Sequence, residues 1–169
     1  MENVSGTVQQ KKNSFSTLQF TSLVILRLLI GWHFLYEGFA KVFNPNWSAA
    51  SFLLDSKGIF SGIFNAMAMN PTILTFVNIS NKLGLIAIGL GLMLGALTRT
   101  ASFAAILLLL LYYFATPPFI GYTYSVPMEG SYMIVNKNLI EAWALVIVIM
   151  FPTSHVLGMD RLIFPSKNK

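Results

Sequence analysis

The sequence contains no cysteine and few charged residues, and each shortage excludes a class of site or protein. Without cysteine the chain forms no disulfide, no thiolate metal site and no internal dithiol relay. Charged residues make up 10% of the 169 residues, whereas soluble globular domains carry about 25%. Hydrophobic residues make up 55% of the chain. This composition predicts an integral membrane protein of one domain.

Other missing features exclude further functions. The 11 Lys and Arg residues outnumber the 6 acids but are scattered without a basic patch, so we expect no nucleic-acid partner. The sequence has neither a nucleophile elbow nor a phosphate-binding glycine loop. His33 and His155 are predicted to lie at different depths in the membrane, and no acidic cluster accompanies them, so we predict no metal site.

Four apolar segments predict an all-α, four-transmembrane-helix bundle. We predict membrane spans at residues 17–40, 72–97, 101–116 and 138–157. Pro71 suits the first turn of the second span, and Pro152 is expected to kink or end the fourth. Residues 47–70 predict short amphipathic helices at the membrane interface, within the first outer loop.

Polar tails flank the predicted bundle at residues 1–16 and, with a basic composition, at 158–169. An even number of spans places both termini on one side of the membrane. Lys and Arg are concentrated in the two tails and near Arg99, whereas Lys57 lies in an opposite loop. The positive-inside rule therefore predicts cytoplasmic termini, with loops 42–70 and 119–137 outside the cytoplasm.

The first span contains a polar face. At about 100° per residue, Arg27, His33, Glu37 and Lys41 fall within one third of the helix circumference. Ionisable groups inside a membrane are costly, so this face is predicted to point into the bundle. Arg27 lies about 15 Å from Glu37 along the helix axis. We expect Arg27 to be the most buried charge and to meet a carboxylate or a backbone carbonyl of a neighbouring helix.

The predicted topology brings Lys82, Asn138 and Glu141 to the depth of Glu37 and Lys41. Three interpretations remain open: structural salt bridges between helices, an outward-opening pocket for a quinone carbonyl or a small anion, and a proton path through the polar face of the first span. Tyrosines near the outer boundary indicate an aromatic belt or, alternatively, a stacking surface for a flat ring. The candidate catalytic residues are Glu37, Glu141 and Arg27, and the candidate ligand-binding residues are Lys41, Lys82, Asn138 and His33.

Three segments, in their order along the chain, carry a family resemblance. They are RLLIGWHFLYEGFAK, LGLMLGALTRTAS and MEGSYMIVNKNLIEAWAL. Together they resemble the DoxX/DoxD family. The resemblance implies a small four-helix membrane protein, similar in the DoxD branch to the membrane subunit of thiosulfate:quinone oxidoreductase. One departure is that Asn81 and Lys82 stand where an acid is expected near the start of the second span.

The resemblance also implies a function and a location. It implies a subunit of a redox complex in a bacterial-type inner (cytoplasmic) membrane, with quinone as a candidate cofactor and none intrinsic. A catalytic role would make the chain part of a quinone-linked oxidoreductase that needs a second subunit, on the non-cytoplasmic side. Membrane lipid is an expected partner and a homo-oligomer a further option. The alternatives are a non-catalytic assembly or anchoring subunit and a small solute-binding or lipid-binding membrane protein.

Overall fold

The structure, a computed structural model, describes residues 16–125 and 133–163. Within these residues the chain is helical and forms no β-strand. The elements are α1 (Thr17–Phe43), α2 (Ala50–Leu54), α3 (Ser61–Met69), α4 (Pro71–Leu94), α5 (Thr98–Ala115), α6 (Lys137–Met150), a 3₁₀ turn (Thr153–His155) and α7 (Asp160–Ile163). Residues 1–15 and 164–169 of the predicted tails and residues 126–132 of the loop 119–137 lie outside the described residues.

Three helices, α1, α4 and α5, are long and apolar enough to cross a membrane. Their bounds agree with the first three predicted spans to within about one helical turn. Ser16 begins α1 with a capping box shared with Gln19. Asn70 begins α4 by accepting hydrogen bonds from two backbone N–H groups, and Pro71 occupies the first turn as predicted. The chain is therefore a multi-pass membrane protein.

The helix in the fourth predicted span, 138–157, ends before the span does, at the proline that was expected to kink or end it. Helix α6 stops at Met150 and has 14 residues, or about 21 Å, against a hydrocarbon core of about 30 Å. It stops there because Pro152 has no backbone N–H and restricts the residue before it. The chain then turns back against the bundle, so that Asp160, expected in a polar tail, is only 4% exposed.

Helices α1 and α4 are antiparallel, and glycine residues allow them to pack closely. A Cβ atom on Gly31 would meet Leu92 and Met93, and one on Gly89 would lie 2.5 Å from the backbone nitrogen of Leu35. Helices α5 and α6 complete the bundle. The shared core consists of Ile30, Phe34, Leu85, Ile88, Leu92, Ala101, Ala105, Leu109, Ala142 and Leu145.

The loop between α1 and α4 contains the two predicted short helices, α2 and α3. Its first part is attached to α4 through Asn78, whose Oδ1 accepts from the Ala49 N–H at 2.8 Å. The Asn78 Nδ2 also donates to the Ser48 hydroxyl at 3.2 Å. Further along, the Lys57 N–H donates to the Ala115 carbonyl at 3.0 Å. These bonds hold the loop across the end of the bundle.

Candidate functional site

A cavity of about 400 Å³ lies between the helices, at the end of the bundle where α1 ends and α6 begins. This volume is within the range of small-molecule sites in proteins. The inner part of the cavity is lined by the buried apolar side chains of Phe34, Leu85 and Leu109. The loop after α1 lines the outer part, including Trp47 and Phe52. The cavity thus has an apolar floor beneath a more polar mouth.

Charged side chains of α1 and α4 lie at the mouth. The Lys41 Nζ donates to the Glu37 Oε2 at 2.5 Å, one helical turn away. The same Nζ is 5.6 Å from the centre of the Trp47 ring, and the Lys82 Nζ is 5.4 Å from that centre. Glu37, Lys41 and Trp47 line the cavity, whereas Lys82 does not line it and borders it through its contact with the Trp47 ring. Both ammonium groups are within the range of a cation–π interaction.

His33 and Glu141 connect α1 with α6 beside the cavity. The His33 Nδ1 lies 2.8 Å from the Glu141 Oε1, and His33 lines the cavity. An ionised carboxylate only accepts hydrogen bonds, so it fixes the proton on Nδ1 and leaves Nε2 available to another group. A carboxylate-oriented imidazole of this kind can take up or release a proton at its second nitrogen.

The wall formed by α4 and α5 is uncharged. The Asn81 Nδ2 donates to the Tyr112 hydroxyl at 2.6 Å. The Phe52 ring meets the Tyr112 ring edge-on, with the centroids 5.6 Å apart. On the α6 side, Asn136 caps the helix by accepting from the Leu139 N–H at 3.1 Å. Asn138 also lines the cavity, as do Asn136 and Lys137.

The charges around the cavity nearly balance. Lys41, Lys82 and Lys137 face Glu37 and Glu141, which leaves one net positive charge while His33 is neutral. Within the described residues no group of three or more His, Asp or Glu side chains is placed to hold a metal ion. The arrangement suits a ligand that is neutral or weakly anionic.

Arg27 lies apart from this cavity. Its Nη1 donates to the Thr153 hydroxyl at 3.1 Å and its Nη2 to the Leu157 carbonyl at 2.8 Å. At 1% exposure it is the most buried charged side chain that the structure describes, as predicted. The carbonyl that it meets belongs to the turn after α6 and not to a helix. A Cβ atom on Gly95 would lie 3.3 Å from the Arg27 Nη1, so Arg27 is at the α4–α5 turn, the opposite end of the bundle.

Sequence reasoning missed Asp160, which completes this opposite end. Its carboxylate accepts from the backbone N–H of Leu97 at 2.6 Å and of Thr98 at 3.2 Å. Burial would raise the pKa of Asp160, but hydrogen bonds from Ser154, Thr98 and the backbone outweigh burial and hold the pKa below its ordinary value. The signal that the sequence offered for Asp160 was an isolated acidic residue shortly after the proline, Pro152, that ends α6.

The structure therefore divides the predicted site residues. His33, Glu37, Lys41 and Asn138 line one cavity, while Glu141 and Lys82 border it. Arg27 is about 15 Å away from Glu37 along α1. Asn81, Trp47 and Tyr112 line the same cavity but were not among the predicted site residues.

Comparison with known proteins identifies the family. Residues 22–118 match the family model described as DoxX. This region extends from within α1 to just beyond α5 and includes most of the cavity lining. No curated protein and no solved structure matches the chain. Because the match covers more than half of its length, the chain belongs to the DoxX family.

Proposed function

We propose that this protein is a small subunit of a membrane-bound redox complex and that its cavity binds a quinone head group or a small anion. The observation that carries this proposal is a cavity of about 400 Å³ with an apolar floor and charged pairs at its mouth. The redox role rests on the resemblance of the three motif segments to the DoxX/DoxD family. No intrinsic cofactor is required in the chain itself.

The proposed topology has four spans with both termini in the cytoplasm. In this arrangement α6 crosses the membrane despite its 14 residues, because the bilayer thins locally or the turn after α6 is partly immersed. The cavity then opens toward the non-cytoplasmic side, where a second protein subunit docks. The concentration of Lys and Arg in the tails supports this orientation.

The chemistry proposed for the site is proton exchange with a reducible ring. Reduction of a quinone to a quinol takes up two electrons and two protons. The electrons come from the partner subunit. Doubly protonated His33 gives one proton from Nε2 to one ring oxygen and regains it from water at the cavity mouth, and the other ring oxygen takes its proton from the same water. Glu37 and Lys41 place both signs of charge beside the other end of the ring.

A non-catalytic anchoring subunit is the second candidate. It is favoured by the pairing of both glutamates at the cavity, Glu37 with Lys41 and Glu141 with His33. In that case the His33–Glu141 pair serves only to hold α1 against α6, and the Glu37–Lys41 pair, which lies within α1, serves only to stabilise that helix. A third candidate, a small solute-binding or lipid-binding protein, uses the same cavity without turnover.

Substitution of the two glutamates separates these functions. The complex is purified from native membranes, its subunits and bound quinone are identified, and quinone reduction per complex is measured for Glu37→Gln and Glu141→Gln. The redox proposal predicts normal yield and reduced turnover, whereas an anchoring role predicts reduced yield or thermal stability and normal turnover. Asp55→Asn is the control, because Asp55 accepts from the Ser125 N–H in an outer loop. Unchanged turnover in both glutamine variants would contradict a catalytic role.

A further inference from the structure

The uncharged wall of the cavity contains a hydroxyl with a fixed hydrogen-bond direction. Tyr112 lies in the last turns of α5 and Asn81 in the middle of α4. The Asn81 Nδ2 donates to the Tyr112 oxygen at 2.6 Å, so that oxygen already acts as an acceptor. A phenol also carries one proton to donate. Among residues 16–125 and 133–163 no side chain or carbonyl accepts that proton.

Asn81 maintains this arrangement at a cost. Its Oδ1 is enclosed and has no hydrogen-bond partner in the part of the chain that the structure describes. A buried acceptor without a partner destabilises the folded protein, so packing alone does not account for an amide at this position. The amide is therefore best explained by its hydrogen bond to Tyr112, which prevents the hydroxyl proton from pointing at the Asn81 Nδ2 and leaves it free for another acceptor.

The surroundings of Tyr112 define the ligand that such a donor would meet. The Phe52 ring stands edge-on to Tyr112, and the floor is made of Phe34, Leu85 and Leu109. These surfaces accommodate the faces of a flat, apolar ring. A small oxyanion fits poorly, because it occupies roughly the volume of two water molecules, about 60 Å³, in a cavity of about 400 Å³.

We propose that Tyr112, oriented by Asn81, is a specificity-determining residue that donates a hydrogen bond to a carbonyl oxygen of a neutral, flat ring bound in the cavity. This inference rests on the proposed ligand-binding function. It adds that the wall formed by α4 and α5 recognises the ligand, through the Tyr112 hydroxyl. A neutral hydroxyl gains a hydrogen bond only from a ring that has an acceptor. It therefore distinguishes a ring with a carbonyl oxygen from the same ring without one.

Duroquinone and durene make a matched pair of probes, because they share a tetramethylated ring and only duroquinone has carbonyl oxygens. Of the three tryptophans, Trp47 lines the cavity, whereas Trp32 and Trp143 are exposed. In a Trp32→Phe, Trp143→Phe background the full chain in detergent has one fluorescent reporter. Quenching of Trp47 measures duroquinone binding, and competition measures durene binding.

Tyr112→Phe is expected to weaken duroquinone binding by about 3- to 10-fold and to leave durene binding unchanged. Asn81→Leu is expected to weaken duroquinone binding too, but to have no further effect in the Tyr112→Phe background. The control is Tyr113→Phe, because the Tyr113 hydroxyl donates to the Ile134 carbonyl at 2.8 Å. This control variant is expected to bind both probes like the parent.

The outcomes separate the two proposals. Duroquinone binding that is equal in the parent and Tyr112→Phe would overturn this inference and leave the ligand-binding function intact. Displacement of duroquinone by millimolar sulfate, with no effect of Tyr112→Phe, would assign the cavity to an anion and overturn it as well. Failure of the parent protein to bind either probe would overturn this inference and the quinone form of the proposed function, and quenching of Trp47 by sulfate alone would then assign the cavity to a small anion.

Discussion

The carboxylate of Asp160 lies 2.6 Å from the backbone nitrogen of Leu97, at the N-terminus of α5. Helix α5 has no side-chain cap of its own, because the side chain of its N-cap residue, Leu97, has no hydrogen-bond acceptor. An acid 63 residues away in sequence supplies the missing cap. It also places a negative charge near the guanidinium of Arg27. One carboxylate thus joins α1, α5 and the turn after α6.

Loss of this cap should lower the stability of the protein. We expect Asp160→Ala to reduce the free energy of unfolding by about 1–3 kcal/mol, because two backbone N–H groups and a buried arginine lose their acceptor or counter-charge. Asp160→Asn keeps one acceptor oxygen and should cost less. The midpoint of thermal unfolding in detergent measures both effects. Asp55→Asn serves as the control, and an Asp160→Ala midpoint equal to that of the control would contradict the capping role.

The stability that Asp160 contributes should depend on pH. Its pKa is lower in the folded protein than the ordinary value of 3.8, so the folded state favours the ionised form. The contribution is therefore complete above the ordinary pKa and is lost as the pH falls through the folded pKa. The unfolding midpoint of the parent should approach that of Asp160→Asn as the pH is lowered below about 5. A difference between the two that stays constant down to pH 3 would rule out this linkage.

Close packing of α1 on α4 predicts opposite results for two glycines of the same helix. A Cβ atom on Gly89 would lie 2.5 Å from the Leu35 nitrogen, whereas one on Gly84 would meet nothing within 4 Å. Gly89→Ala should force the helices apart and destabilise the protein by about 1–3 kcal/mol. Gly84→Ala should be neutral or stabilising by up to about 1 kcal/mol, because alanine favours helix. Similar unfolding midpoints for the two variants would show that the α1–α4 contact is not tight.

Local signals predicted much of the fold. The polar face of α1, the prolines and the apolar segments depend on neighbours within a few turns, so periodicity and turn residues were sufficient to find them. They located three spans, the burial of Arg27, and the group of polar residues near Glu37. Hydrophobicity continues past Pro152 although the helix does not, so the apolar segment alone did not decide between a kink and an end at this proline.

The missed features depend on contacts between distant parts of the chain. Asp160 reaches Leu97 across 63 residues, and Asn81 reaches Tyr112 across 31. Neither pairing leaves a local pattern, because a single hydrogen bond can join any two polar side chains that the fold brings together. Asn81 was noticed as a departure from a family pattern, and Tyr112 was among the tyrosines assigned to an aromatic belt or, alternatively, to a stacking surface for a flat ring.

The attachment of the loop between α1 and α4 to α4 itself makes a final prediction about access to the cavity. Asn78 holds Ser48 and Ala49 through two hydrogen bonds, and the loop that contains them lines the outer part of the cavity. Asn78→Ala removes both bonds, so the Ala49 amide should exchange its hydrogen about 10-fold faster. Hydrogen–deuterium exchange of peptides that cover residues 47–54 measures this change. Thr75→Ala is the control on the same helix, because the Thr75 hydroxyl donates only to the Pro71 carbonyl within α4. Equal exchange in the two variants would mean that the loop is held by its apolar contacts, and the cavity would then keep its outer wall without Asn78.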